Sequence, residues 1–293
     1  MWTALQRRFR DGSSSPREYG TAMSLGLVAP LLLLLLIAFV YPVGRLLWNS
    51  IFAPDATLVH YGRIIEEPLY LLVLWRTLEI AFVVTVLAFL LGYPVAYAMA
   101  RMSGRRAMLV AACVLVPLWT SALVRSYAWI VILQRNGIVN DLLEEAGLIE
   151  TPLRLLYTKG AVILAMTHVL LPFMILPIYS ILRNIPDELA KAARNLGASA
   201  PQAFLRITLP LSLPGAAAGT LMTFILALGF YITPALVGGP RTLMMSTLMA
   251  QQTTELLDWP FAGALSAVLL ASTLLLVVLY RRALSFNKGF KIG

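Results

Sequence analysis

Long apolar runs constrain this chain more than any other feature of its sequence. Six segments are each long enough to cross a bilayer, which takes about 20 mainly apolar residues because backbone groups must pair within their own helix. Only 13% of the 293 residues are charged, against about 25% in soluble domains. We predict an all-α membrane protein whose six transmembrane helices cover residues 22–47, 72–100, 107–133, 161–182, 211–237 and 261–280.

The first apolar run follows the basic sequence RRFR, as a secretory signal would. It is too long for a signal, however, and no small-residue cleavage site follows it, so we expect a retained helix. The predicted organisation is an N-terminal tail over residues 1–20, a transmembrane domain over 21–282 and a C-terminal tail over 283–293. A polar loop over residues 184–210 interrupts the transmembrane domain.

The distribution of basic residues predicts the orientation in the membrane. If both termini are cytoplasmic, fifteen Lys and Arg residues lie on the inner side and six in the outer loops. Cytoplasmic loops carry such an excess, so we expect both termini inside. The net charge of +9 follows from this topology and does not call for a nucleic acid partner. The single cysteine, Cys113, excludes a disulfide within the chain.

The polar loop predicts a short helix held by another protein. Pro186 suits the first helical turn, Asp187 and Glu188 favour the positive end of the helix dipole, and Gly197 suits the left-handed position after the last turn. The apolar stripe of this helix is mostly methyl groups, which fit a narrow groove better than they cover a core. Its members are Leu189, Ala192, Ala193 and Leu196.

A second helix is predicted immediately afterwards. Residues 199–202 read SAPQ and match a capping box, in which Ser199 and Gln202 each bond the other's backbone amide. The alternative interpretation of the whole loop is an ordinary connection that rests on lipid head groups.

The loop resembles one found in permease subunits of binding-protein-dependent ABC importers, which has the pattern E-A-A-x3-G-x9-I-x-L-P. Here Lys191, Ala192 and Ala193 are followed at the same spacing by Gly197 and then by the run from Ile207 to Pro210. Lys191 replaces the usual Glu, so a contact made through that acid would be absent or change sign.

The resemblance extends along most of the chain and is closest to the B-type permease of spermidine/putrescine importers. It rests on the stretches LGYPVAYAMA, VPLWTSALVRSYAWI, NGIVNDLL, TPLRLLYT, LLPFMILPIYS, LGAS and DWPFAGA. It implies a type I importer transmembrane fold with a cytoplasmic coupling helix in a bacterial inner membrane. The implied partners are a second, non-identical permease, two copies of a cytoplasmic ATPase and a periplasmic binding protein.

The resemblance also implies that the coupling helix docks on the ATPase and transmits its closure to the spans. The residues expected to take part are Asp187, Glu188, Lys191, Ala192, Ala193, Arg194, Gly197, Ala198 and Ser199. The chain contains no G-x-x-x-x-G-K-[ST] sequence that would cradle a phosphate. We therefore expect ATP and magnesium to bind the partner ATPase, and we expect no cofactor, metal or catalytic site in this chain.

Three ionisable residues within the spans are candidates for a role in transport because charge is costly in lipid. Glu79 would attract a cation or pair with Arg76, and Arg125 would serve the pathway or extend to the outer head groups. His168 would hydrogen-bond between helices or relay protons.

Aromatic residues in the outer half of the spans would anchor the chain at the interface or hold an ammonium substrate by cation–π contact. The substrate pathway is predicted to include Trp119, Arg125, Tyr127, Tyr231, Glu79 and Trp259. We expect import of polyamines or a related small cation. The alternatives are an importer permease for an amino acid, opine, metal or anion, and a self-sufficient secondary transporter with buried acids, broken helices and inverted repeats. A membrane enzyme is disfavoured because no metal-binding or acid–base cluster is evident.

Overall fold

The computed structural model describes residues 21–52 and 55–286, which are mostly helical and form no β-sheet. The predicted tail over 1–20 lies outside the described residues, as do residues 287–293, whereas residues 283–286 continue the last helix. Five helices are long and apolar enough to cross a bilayer, and one bent pair makes a sixth candidate span. The predicted all-α membrane fold is therefore confirmed.

Most of the first crossing contacts little of the rest of the chain, and only its last part packs against another helix. Helix α1 (Thr21–Leu35) continues through a π-helical turn (Leu36–Val40) into α2 (Tyr41–Asn49). None of the described side chains from Leu25 to Asn49 is buried. A helix that is apolar all round must be covered by lipid or by another protein.

The remaining helices continue in chain order to the last described residue. They are α3 (Val59–Glu66), α4 (Pro68–Arg101), α5 (Gly104–Trp119), α6 (Ala122–Leu133), α7 (Ile138–Glu145), α8 (Lys159–Asn184), α9 (Asp187–Asn195), α10 (Ala200–Ala203), α11 (Leu209–Leu228), α12 (Ile232–Val237), α13 (Met245–Thr254) and α14 (Trp259–Phe286). A π-helical turn (Phe204–Thr208) joins α10 to α11, so these two helices form one continuous crossing.

Two predicted spans are not single helices, and the sequence prediction is wrong there. Between α5 and the segment Ala122–Glu145 the chain bends by 103°, and α11 ends at Leu228 before α12 begins. At the first break the Thr120 hydroxyl donates to the Pro117 carbonyl at 2.8 Å, and the Ser121 hydroxyl accepts from the Leu123 amide at 3.2 Å. These side chains satisfy backbone groups that the broken helix leaves free. Apolar composition continues across both breaks, so a span-length criterion cannot detect them.

Three helices, α4, α8 and α11, form the centre of the molecule. Small residues allow their backbones to approach closely. A Cβ atom on Gly215 would lie 2.8 Å from the Pro177 carbonyl oxygen, and one on Gly219 would lie 2.9 Å from that of Met174. The small-residue face of α11 therefore packs against α8 of the same chain.

The loop between α6 and α8 is organised by one buried amide, that of Asn140. Its Nδ2 donates to the carbonyls of Gln134, Arg135 and Leu153 at 3.3, 3.1 and 3.0 Å, while its Oδ1 accepts from the Leu153 amide at 2.9 Å. Asn140 belongs to the short helix α7 within this loop. One side chain thus fixes both ends of the loop to the end of α6.

Replacing Gly215 or Gly219 by Ala tests the close packing of α11 on α8. Each added methyl group overlaps a backbone oxygen, so we expect each change to destabilise the protein by about 1–3 kcal/mol. The control is Gly44→Ala in α2, which meets nothing within 4 Å and should be neutral or slightly stabilising. Thermal unfolding in detergent gives the stability of all three variants. If Gly44→Ala destabilises the protein as much as Gly215→Ala and Gly219→Ala, the close packing of α11 on α8 is contradicted.

Candidate functional site

The helix predicted to engage an ATPase is present and is largely uncovered. None of the side chains of α9 is buried, and Leu196, which ends its apolar stripe, is 89% exposed. Gly197 follows with a φ of +90°, the left-handed conformation predicted from the sequence. We call Leu189, Ala192 and Leu196 the docking stripe, since all three side chains are exposed. Such a stripe is free to bind a groove in another protein.

The other residues predicted for coupling surround this stripe. Glu188, Lys191 and Arg194 are exposed, whereas Ala193 and Ala198 are half-buried. The predicted capping box is confirmed at the start of α10. The Ser199 hydroxyl accepts from the Gln202 amide at 3.4 Å, and the Gln202 side chain accepts from the Ser199 amide at 2.9 Å.

An ion pair fixes the start of α9 to the end of α4. Arg101 Nη1 donates to Asp187 Oδ1 at 2.8 Å, and the Arg101 guanidinium lies 5.4 Å from the centre of the Tyr97 ring. Both charged side chains are partly exposed, so the pair adds little stability, but it sets the position of α9. The Asp187 carboxylate, predicted to serve ATPase coupling, thus contacts a transmembrane helix of its own chain.

Phe204 provides a second connection between the coupling region and the spans. Its ring meets those of Tyr97 and Tyr93 edge-on, at centroid distances of 5.3 and 6.1 Å. The Tyr93 hydroxyl lies 2.6 Å from that of Ser212 in α11, which joins the two helices. The sequence prediction missed Arg101 and Phe204 as connecting residues, although two tyrosines four residues apart on α4 are a pattern that presents an aromatic face.

The two helix breaks carry exposed aromatic side chains. Trp119, at the end of α5, is 85% exposed, and Tyr231, between α11 and α12, is 48% exposed. Tyr231 borders a cleft of about 390 Å³ between α12 and α13, which Gln251 and Glu255 also line. These two predicted pathway residues therefore occupy equivalent places, each at an interruption of a span.

Buried hydroxyl groups join the segments beyond the breaks. Ser126 in α6 and Thr233 in α12 are both fully buried, and their hydroxyl oxygens are 2.8 Å apart. The Ser246 hydroxyl of α13 donates to the Phe230 carbonyl at 2.7 Å, within the second break. α6 and α12 are thereby connected into one unit, a link that sequence reasoning missed because single Ser and Thr residues give no signal.

The other predicted pathway residues are dispersed. Tyr127 is exposed on α6, whereas Trp259 begins α14. Glu79 forms an ion pair with Lys159, the first residue of α8, so the expected alternative pairing with Arg76 is wrong. The reason is tertiary packing, since α4 and α8 lie side by side over most of their lengths.

Arg125 contacts the main chain of α8. Its Nη1 donates to the Val169 carbonyl at 3.2 Å. Val169 is about 15 Å along α8 from Lys159, at 1.5 Å per residue, so the guanidinium contacts the middle part of this candidate span. The neighbouring His168 accepts a hydrogen bond from Trp129 Nε1 at 3.2 Å through its Nδ1, as expected for a histidine that bonds between helices.

Comparison with known proteins assigns the family. A profile described as binding-protein-dependent transport system inner membrane component matches residues 88–285, more than half of the chain. The chain belongs to this family. The chain is 37% identical over 237 residues to the spermidine/putrescine transport system permease protein PotB of Escherichia coli K12. The match covers 80% of this chain and 86% of that protein.

Two further relatives define the range of similarity. Identity to the PotB protein of Haemophilus influenzae is 35% over 254 residues, which cover 87% of each chain. Identity to the molybdenum transport system permease protein ModB of Mycobacterium bovis is 31% over 195 residues, or 67% of this chain and 72% of that protein. The chain is thus similar to permease proteins named for different solutes.

Solved structures confirm the predicted type I importer fold. A chain of a bacterial alginate ABC transporter, in complex with an alginate pentasaccharide-bound periplasmic protein, superposes with a TM-score of 0.76 at 17% identity and covers 100% of this chain and 99% of that one. A chain of the inward-facing MetNI methionine ABC transporter has a TM-score of 0.52 at 21% identity, covering 74% and 94%.

The Ser126–Thr233 hydrogen bond can be tested by a double-mutant cycle. We expect Ser126→Ala and Thr233→Val to show a coupling free energy of about 0.6–1.7 kcal/mol, the range for hydrogen bonds between membrane helices. Thermal unfolding in detergent gives the four values required. Thr273→Val is the matched control, because that hydroxyl bonds only a carbonyl of its own helix, and its effect should add to that of Ser126→Ala. A coupling near zero would mean that α6 and α12 are not joined.

Proposed function

We propose that this chain is the membrane-spanning permease subunit of an ATP-driven polyamine importer in a bacterial inner membrane. The observation that carries this proposal is 35–37% identity over most of the chain to permeases named for spermidine and putrescine. Similarity to the molybdenum permease is lower and covers less of the chain. The overall fold suits any importer permease, so the choice of substrate rests on these relatives.

The complete importer contains four kinds of subunit. This chain pairs with a second permease, two copies of an ATPase bind on the cytoplasmic side, and a periplasmic protein delivers the substrate. Both termini of the chain are cytoplasmic. ATP and magnesium bind the ATPase, and this chain is not itself an enzyme. The absence of a phosphate-binding sequence supports this division, as does a docking stripe that its own chain leaves exposed.

Movement of the ATPase reaches the spans through the connections at the coupling region. Closure of the ATPase pair displaces the docking stripe and hence α9. The Arg101–Asp187 ion pair transfers this displacement to α4, and Phe204 transfers it to α4 and α11. α11 leads directly to the break before Tyr231, where α12 moves together with α6 because of the Ser126–Thr233 hydrogen bond. The pathway thereby opens alternately to the outer and the inner side of the membrane.

The polyamine passes exposed aromatic rings at the two breaks and on α6. Trp119, Tyr127 and Tyr231 offer ring faces to ammonium groups, and each contact contributes about 0.5–2 kcal/mol. Glu255, beside Tyr231, adds negative charge to the cleft. Glu79 is paired with Lys159, so it attracts a cation only after that pair separates.

A secondary transporter is the second candidate function, and the broken helices favour it. Discontinuous helices near a binding site are typical of such transporters, which also place acids at the site. Glu79 is the only acidic residue in the predicted spans, and it is already paired with Lys159 at the start of α8. The docking stripe has no use in a self-sufficient transporter. Dependence of uptake on ATP separates the two candidates.

Ala192→Asp tests the contact between the docking stripe and the ATPase. A carboxylate in an apolar groove is costly, so we expect at least tenfold less ATPase to co-purify with the tagged chain from its own cells. Ala146→Asp is the matched control, because it places the same change on an exposed alanine of the loop after α7. Co-purification is quantified by mass spectrometry. ATPase recovery that Ala192→Asp leaves unchanged would refute docking through this stripe.

Trp119→Phe and Trp119→Leu test the aromatic pathway in the reconstituted importer. Phe keeps a ring face and should retain most spermidine uptake, whereas Leu should lower it about three- to thirtyfold, which corresponds to the loss of one cation–π contact. Trp75→Leu, an exposed tryptophan of α4 away from the breaks, is the control. Molybdate uptake is assayed in parallel. An importer that takes up molybdate but not spermidine would refute polyamines as the substrate.

A further inference from the structure

Arg125 is a positive charge for which the described part of the chain offers no negative partner. Its Nε is buried and has no hydrogen-bond acceptor, and its Nη1 donates to a main-chain carbonyl of α8. Within residues 21–52 and 55–286, no carboxylate lies within 4.0 Å of the guanidinium. The nearby side chains of Trp129 and His168 bond each other and supply no charge.

The depth of this charge makes the missing partner significant. Val169, whose carbonyl Arg125 contacts, is about 15 Å from the Lys159 end of α8 and about 22 Å from the Asn184 end. The hydrocarbon core of a bilayer is about 30 Å thick, so a helix of this length spans it and the contact lies toward the middle of the span. A guanidinium held at this depth is stabilised by a carboxylate, and one that remains unpaired would repel the ammonium groups of a passing polyamine.

We propose that Arg125 forms an ion pair with a carboxylate from a membrane helix of the second permease subunit. This inference rests on the proposed function, which requires a second permease. Arg125 follows the bend between α5 and α6 and contacts α8, and the residue is only half-buried among the described residues. The pair both compensates the buried charge and neutralises it toward a cationic substrate.

A second copy of this chain cannot supply that carboxylate. Of its fourteen acidic residues, only Glu79 falls within the predicted spans, and Glu79 is already paired with Lys159 at the end of α8. The partner is therefore a different permease that carries an Asp or Glu about midway along a span. Charge complementarity thus selects a non-identical pair of permeases.

The test measures assembly of the complete importer purified through a tag on this chain. Arg125→Glu should reduce the co-purified second permease at least tenfold, and Arg125→Lys should retain most of it. Arg154→Glu makes the same change on an exposed residue of the loop before α8 and should have no effect. Each intramembrane Asp or Glu of the second permease is then changed to Arg, and one such change should restore assembly with Arg125→Glu.

A cysteine pair removes both charges and does not depend on the stability of the charge-reversed chain. Arg125→Cys, in a Cys113→Ala background, should form a disulfide with a cysteine placed at the acid that the rescue identifies. If Arg125→Glu fails to accumulate, every intramembrane acid of the partner is tested in this way. Normal assembly with Arg125→Glu, or no disulfide with any of these positions, would overturn the proposal.

The outcomes also separate this inference from the substrate. A different permease that cross-links to position 125 in an importer that does not carry polyamines would support the ion pair and refute the substrate. Polyamine uptake by an importer built from two copies of this chain would support the substrate and refute the ion pair.

Discussion

Backbone hydrogen bonding in lipid is the constraint on which this structure depends. A helix satisfies its own amides and carbonyls, so a break inside the membrane survives only where the protein supplies substitutes. Thr120 and Ser121 supply them at the bend after α5, and Ser246 supplies one at the break after α11. These hydroxyl groups permit the chain to change direction inside the membrane. Trp119 and Tyr231 therefore lie at helix breaks and not on the side of a continuous helix.

The central helices provide the rigid frame against which the broken segments can move. α4, α8 and α11 approach closely because Gly215 and Gly219 leave no room for a side chain against α8. Close packing of this kind transmits displacement with little internal deformation. The connections made by Arg101 and Phe204 enter this frame directly. At its far end α6 and α12 pack on α8 through an apolar cluster that includes Leu133, Ala161 and Val237, and the Ser126–Thr233 hydrogen bond joins α6 to α12. A frame with connections at both ends suits the proposed coupling of an ATPase to the broken segments.

Much of this architecture was predictable from the sequence because it follows from local rules. Apolar length gave the spans, and the acid-to-glycine pattern from Asp187 to Gly197 gave the coupling helix and its end. The breaks were not predicted, because two polar residues in a run such as VPLWTSALV do not end an apolar span, and a single Thr or Ser gives no sign that it will bond the backbone at a bend. The partners of Glu79 and Arg125 were not predictable either, since both depend on which residues of α8 lie opposite.

The exposure of α9 has a consequence for how such importers diversify. Because none of its side chains is buried, the docking stripe can change without disturbing the folding of the permease. The positions that hold the helix in place, Arg101, Phe204 and Gly197, are separate from those that face outward. Under the proposed function, a gene duplicate could bind a different ATPase after changes at a few exposed positions such as Lys191. The permease could thus change its ATPase partner without a change in its own fold.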